Sequence, residues 1–311
     1  MYQWSQDIEE LLLQHWPRAS WRYRQGDSEQ SLQVNLNQWS MAEISQEMWQ
    51  QIWQLPKLRK LEILSHLLTT VPPQIAHLIH LEELSLFGKL TTLPSEIGQL
   101  THLRDLGISG QFATFPLVIT QLTNLRKLGV FGRFTELPPE IGQLTHLERL
   151  LLSGDFINLP GRYYSGLLAT VPPEIGQLIH LRELHLEGQF ALFPLAILQL
   201  PHLEELFLMG HLTALPPEIS CLTNLRVLKL HHNRLTALPP EIGQLTNLQR
   251  LWLFGNLLAT VPPEIGQLIH LRELDLGNNP LTTLPPEIEE LPNLDSGNKS
   301  ALKKFIKQPF R

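Results

Sequence analysis

The chain has very little cysteine. Cys221 is its only one, so no internal disulfide can form and a reduced compartment is expected. Cations do not prevail: 24 Lys and Arg stand against 30 Asp and Glu, for a net charge of −6. No basic stripe marks any segment, which argues against nucleic acid and anionic membrane as partners. No stretch approaches the roughly 18 uninterrupted apolar residues of a membrane span, so none is expected. The first ten residues, MYQWSQDIEE, lack a basic region followed by an apolar run, so no signal peptide is expected. A Gly-rich phosphate loop is missing. No Ser/His/Asp set occurs that the repeat described below does not already explain. These absences point to a cytoplasmic protein without cofactor or metal.

Leucine is abundant and regularly spaced. From Leu58 to Leu294 the pattern L-x-x-L-x-L returns every 22 or 23 residues, except for one step of 34 between Leu147 and Leu181. A fixed period of this size predicts a solenoid, in which each unit buries its apolar face only by stacking on its neighbours. A solenoid offers a long surface and usually no deep catalytic pocket. Its one-dimensional growth also overrides the two globular domains that the length would suggest.

The unit beginning at Leu248 shows the physics. Leu251, Trp252 and Leu253 alternate in and out as a short strand, with Leu251 and Leu253 inward and Trp252 and Phe254 outward. Asn256 follows at a bend, where its side chain can satisfy backbone groups. Val261-Pro262-Pro263-Glu264-Ile265 then opens a helical turn, since proline fixes φ and is tolerated in the first turn. Glu264 suits its N-terminus. Ile265 and Leu268, three apart, both face the core. Each coil adds one parallel strand, giving about eleven with a cap strand near Val34.

The segment LPPEIGQLT-x-L, present as 137–147 and 238–248, resembles the leucine-rich repeat family. It is similar in particular to the subclass shared by plant intracellular Ras-group proteins, Ras-suppressor-type scaffolds and many bacterial repeat proteins. The resemblance covers roughly residues 55–294. It implies an α/β fold: a curved horseshoe with parallel strands on the concave face and short helical turns on the convex face. It implies binding rather than catalysis. The family usually carries Asn after the strand, and here only Asn233, Asn256 and Asn279 fit. Other units are one residue shorter and place Gly88, Gly110, Gly132, Gly154, Gly188 and Gly210 there. A positive φ at these glycines would tighten the bend.

Exposed solenoid ends need caps. Residues 7–16 read as an amphipathic helix carrying Ile8, Leu11, Leu12 and Trp16, and 31–37 alternate as a strand. Met41, Ile44, Ile52 and Leu55 fit a degenerate first repeat, which makes 1–57 an N-terminal cap ahead of repeats 58–294. Residues 295–311 form a C-terminal cap, with a short helix over 298–307. Inside the long step, 160–166 (PGRYYSG) is extra chain, read as a protruding loop. Leu167–Leu184 is identical to Leu257–Leu274, so this loop is either the scar of an internal duplication or a binding loop carrying Arg162, Tyr163 and Tyr164.

Function should lie on the outward strand positions. One column reads Glu62, Ser85, Gly107, Gly129, Leu151, His185, Phe207, Lys229, Trp252, Asp275. The next holds Phe87, Phe131, Met209, His231 and Phe254. Phe207, Met209, His231, Trp252 and Phe254 therefore form an exposed aromatic cluster on neighbouring strands, the mark of a contact surface. A further column precedes the first repeat leucine: His80, His102, His146, His180, His202 and His270, with Asn124, Asn224 and Asn247 in the same place. Asn does not replace His as a metal ligand, so this column reads as structural. Cys221 stands where other units have Gln and reads as a tolerated variant rather than a nucleophile.

The expectation is a monomeric, non-enzymatic protein-interaction module or scaffold that binds a protein through the concave face. The alternatives are a regulatory arm of a GTPase or ubiquitin-ligase system whose catalytic part is on another chain, and a glycan-binding module.

Overall fold

The computed structural model describes residues 20–25, 30–35, 46–55, 57–154 and 166–295. The expected helices at 7–16 and 298–307, Met41, Ile44, and Arg162, Tyr163 and Tyr164 of the inserted loop lie outside these residues. The chain divides into two compact units, one ending at Gly132 and one comprising Arg133–Gly154 and the chain from Gly166.

In the first unit, β1 (Ser20–Gln25) pairs antiparallel with β2 (Gln30–Asn35), the strand anticipated near Val34. From β2 onward every neighbour is parallel: β3 (Leu58–Leu64), β4 (Glu83–Leu90), β5 (Asp105–Gly110) and β6 (Lys127–Phe131). A helix, Gln46–Trp53, precedes β3. It buries Trp49 and Ile52, spaced three apart on one face, and Trp49 stacks on Trp53 at 5.0 Å.

The second unit repeats one coil. Its strands β7 (Arg149–Ser153), β8 (Glu183–Glu187), β9 (Glu205–Met209), β10 (Val227–Lys229), β11 (Arg250–Trp252) and β12 (Glu273–Asp275) are parallel in sequence order. The register aligns the leucines: Leu228 faces Leu206 on one side and Leu251 on the other, and all three are fully buried. After β12 the return leg is a four-residue α-helix, Glu287–Glu290. After each of β3 to β11, in both units, it is a five-residue 3-10 turn, as at Pro263–Gln267. Pro262 enters it extended, and the Leu268 amide closes it on the Ile265 carbonyl at 3.1 Å. Ile265 and Leu268 are both buried, as their spacing predicts.

The two kinds of strand exit have different physics. Asn233, Asn256 and Asn279 are buried and form a ladder. The Asn256 carboxamide donates to Leu253 of its own coil and to Leu230 of the preceding one, while its oxygen accepts from the Leu235 amide. The residue before each ladder Asn is left-handed: His232, Gly255 and Asn278 have φ of 56°, 68° and 49°. The short-coil glycines are different. Among the described glycines only Gly255 has a positive φ, so the expected left-handed bend is corrected at Gly88, Gly110, Gly132, Gly154, Gly188 and Gly210 alike. Gly88, Gly110 and Gly188 are glycine because of close approach. A Cβ on Gly110 would stand 2.2 Å from the Leu90 carbonyl oxygen, and one on Gly188 2.1 Å from that of Leu168. Adjacent coils touch there through bare backbone.

Candidate functional site

Strand alternation decides which side chains leave the core. In β9, Leu206 and Leu208 point inward and Phe207 and Met209 outward; in β11, Leu251 is inward and Trp252 outward. The outward rings meet sideways. His185 stands edge-on to Phe207 at 3.8 Å, Phe207 lies 4.9 Å from His231, and His231 lies 6.3 Å from Trp252. The band continues through His232, which meets His231 at 5.5 Å and Phe254 at 5.3 Å. Lys229 places its ammonium 5.0 Å over the Trp252 ring, a cation–π contact.

This packing corrects the expectation of a fully exposed cluster. Phe207 is 5% and Met209 8% exposed, although both sit at outward positions. The rings of His185 and His231, from the coils on either side, close over Phe207. His231, Trp252 and Phe254 remain half-exposed. Phe87 and Phe131 belong to the first unit, where their ring centroids lie 6.4 Å apart. There the Phe87 ring lies against Gly107 and the Phe131 ring against Gly129. Sequence reasoning did not assign His185, Lys229 and His232 to the site. His185 and Lys229 stand in the outward column itself. His232 is brought in by its left-handed backbone, for which the following ladder Asn is the signal.

Charges rim the band and mostly neutralise one another. Arg149 meets Glu183 at 2.6 Å, Lys229 meets Glu205 at 2.5 Å, and Arg250 meets Glu273 at 3.5 Å. Glu187 accepts from Ser153 and lies 3.2 Å from His185 Nε2. Burial pushes the His231 imidazole below its ordinary value, and the neighbouring His232, Lys229 and His185 push it further the same way.

The column before the first leucine serves the backbone. Asn224 donates to the Pro201 carbonyl at 2.8 Å and Asn247 to that of Thr223 at 2.9 Å, each tying its coil to the one before. His146 and His180 in that column stack at 6.4 Å. Among the described residues no three potential ligating groups converge on one point. Cys221 is exposed.

Stacked coils with parallel strands, inward leucines and short 3-10 return turns define a leucine-rich repeat solenoid. The family described as Leucine Rich repeats (2 copies) matches residues 223–265, and Leucine Rich Repeat matches 270–291. The solved structure of a leucine-rich repeat protein of Leptospira interrogans is 33% identical, with 84% of this chain and 85% of that chain covered and a TM-score of 0.50. The chain belongs to the leucine-rich repeat family. A TDR receptor is 26% identical (78% of this chain, 43% of that chain, TM-score 0.67). The plant peptide hormone receptor RGFR1, solved in complex with RGF2, is 28% identical (78% and 44%, TM-score 0.56). The chain thus spans less than half of these two receptors. No curated protein matches it. Domains of this family are generally protein-interaction modules.

Proposed function

We infer that this chain is a non-enzymatic binding module whose second unit takes a protein or peptide partner on the outward face of its strands. One observation carries the reading. Trp252, Phe254 and His231 stand half-exposed in a continuous aromatic band that contributes nothing to the leucine core. Aromatic anchors of this kind carry most of the energy at protein interfaces. The rim charges are already paired with one another, so they would set register and encounter rate more than affinity. RGFR1, a peptide hormone receptor, supports the reading as a related fold seen with a peptide bound. A cytoplasmic scaffold of the Ras-suppressor-like subclass is the form we favour, on the single cysteine and the LPPEIGQL repeats.

The test pairs affinity with stability. Peptides are selected from a random display library on the wild-type chain, then titrated against Trp252→Ala. Trp252 serves no inward position, so the variant should keep most of its stability. It should lose about 2 kcal/mol of binding, roughly thirty-fold. Unchanged affinity in a folded variant would remove this face from the reading. Selective capture of sugars on a glycan array, with no peptide selected, would replace it by glycan binding.

A further inference from the structure

A second feature of the same unit lies where each coil enters its strand. One residue per coil follows the first repeat leucine there, and the row reads Glu148, Arg182, Glu204, Arg226, Gln249, Arg272. The backbone keeps this row in order. The amides of Glu204, Arg226, Gln249 and Arg272 each donate to the carbonyl of the preceding row member, at 2.7–2.8 Å. Acid and base alternate along it until Gln249, which is neutral where the next carboxylate would fall.

The charge balance along the row is uneven. Arg182 Nη1 donates to Glu204 Oε1 at 2.7 Å, and Arg226 Nε lies 3.6 Å from Glu204 Oε2. Two guanidiniums therefore share one carboxylate. Each guanidinium has five N–H donors and Glu204 has two oxygens, so donors are left over. Arg226 and Arg272 flank Gln249 with no acid between them. Among the described residues Arg272 makes no ion pair.

A groove of about 380 Å³ runs along the row from Arg182 to Gln249 and ends short of Arg272. Arg182, Glu204, Arg226 and Gln249 line it. His202 and His270 line it as well, with Asn224 and Asn247, which are fixed by their bonds to the preceding coils. Every lining residue is polar, so an apolar ligand gains nothing here. A ligand bearing carboxylates gains charge-assisted hydrogen bonds at two places.

We propose that this groove binds an acidic peptide segment lying across the coils, with one carboxylate against Arg182 and another in the acid-free gap between Arg226 and Arg272. The distance between the two places selects a chain over a single ion. Three coils at about 4.8 Å each separate Arg182 from Gln249, roughly 14 Å. An extended chain advances about 3.3 Å per residue, so the two carboxylates belong four residues apart. Glu204 is an internal competitor for both arginines.

The experiment is calorimetric titration of the full chain at low ionic strength. The probes are a Glu-Ser-Gly-Ser-Glu peptide with blocked ends, its Gln twin, and inorganic phosphate. The acidic peptide should bind about tenfold or more tighter than its twin. Glu204→Gln, which frees both guanidiniums, should tighten it severalfold. Gln249→Glu, which completes the alternation, should weaken it about tenfold without lowering the melting temperature. Equal binding of the two peptides, or an unchanged affinity in Gln249→Glu, overturns the proposal. Phosphate binding without peptide binding overturns it as well, because the groove would then hold a single ion. Trp252→Ala should leave this titration unaltered, so failure here is distinguishable from failure of the aromatic face.

Discussion

The ring of His185 meets that of Phe207 edge-on, with centroids 3.8 Å and planes 81° apart. The two residues are directly paired in register on β8 and β9, so this contact covers Phe207 from the β8 side. His185→Ala should therefore open one side of a phenyl ring that is now buried. The expected loss is about 0.5–1.5 kcal/mol, the usual worth of an aromatic pair. Chemical denaturation of the wild type, His185→Ala and His185→Phe measures it. The phenylalanine variant should recover most of the loss, and an alanine variant as stable as the wild type would show that Phe207 is covered by other neighbours alone.

Much of this architecture is legible in the sequence, and the parts that are not share a cause. The leucine period places Leu206, Leu228 and Leu251 in register and sends Phe207, Lys229 and Trp252 to the other side. That follows from alternation alone. Whether an outward residue is also exposed depends on the rotamers of its lateral neighbours. Phe207 is covered because His185 and His231 lean over it, and no period encodes that. The short-coil glycines are visible as a pattern, but a sequence does not distinguish a left-handed φ from a backbone contact. Gly110 is a contact and Gly255 is left-handed.

The central leucines should be the costliest side chains to truncate. Leu228 is fully buried between Leu206 and Leu251. Leu228→Ala should destabilise by about 2–5 kcal/mol, with the cost set by how far the coils collapse into the void. A shift in denaturation free energy below about 0.5 kcal/mol would mean that the inward register is wrong.

Two glycines of one strand should respond differently to alanine. At Gly110 a Cβ would meet the Leu90 carbonyl oxygen at 2.2 Å, and that backbone cannot swing aside as a side chain does. Gly110→Ala should cost about 1–3 kcal/mol, as overpacking does. At Gly107 the nearest atoms are Phe87 Cζ at 3.4 Å and Ser85 Oγ at 3.6 Å, which is ordinary contact. Gly107→Ala should be close to neutral. Equal melting temperatures for the two variants would contradict the close-approach account.

The Asn ladder gives a test that separates hydrogen bonding from shape. Asn256→Asp preserves size but removes both donations, to Leu253 and to Leu230, and sets a carboxylate against two carbonyl oxygens. Each buried group left without its partner costs about 1–3 kcal/mol. The variant should lose at least about 2 kcal/mol at neutral pH. Acidification should return part of it, since a protonated carboxyl regains one donor. A denaturation series across pH shows whether the Asn256→Asp variant narrows its gap to the wild type as pH falls, and a constant gap would argue against the donor role.

His231 should make the stability of the second unit depend on pH with a definite sign. Its folded pKa lies below the ordinary 6.5, first because of burial and then because His232, Lys229 and His185 repel the added proton; Glu187 opposes the shift. Above about pH 6.5 the imidazole is neutral in both folded and unfolded chains, and it contributes no pH dependence. As pH falls through 6.5 the unfolded chain takes up the proton and the folded chain does not. The unfolded state then binds more protons, so stability decreases on acidification until the folded pKa is passed, and levels off below it. The informative quantity is the difference between the wild type and His231→Gln. That difference should be constant above about pH 7 and should shift in favour of the glutamine variant as pH falls below about 6.5. Denaturation midpoints at half-unit pH steps measure it. A difference that stays flat through this window, with both proteins folded, would show that His231 titrates in the native state as it does in the open chain.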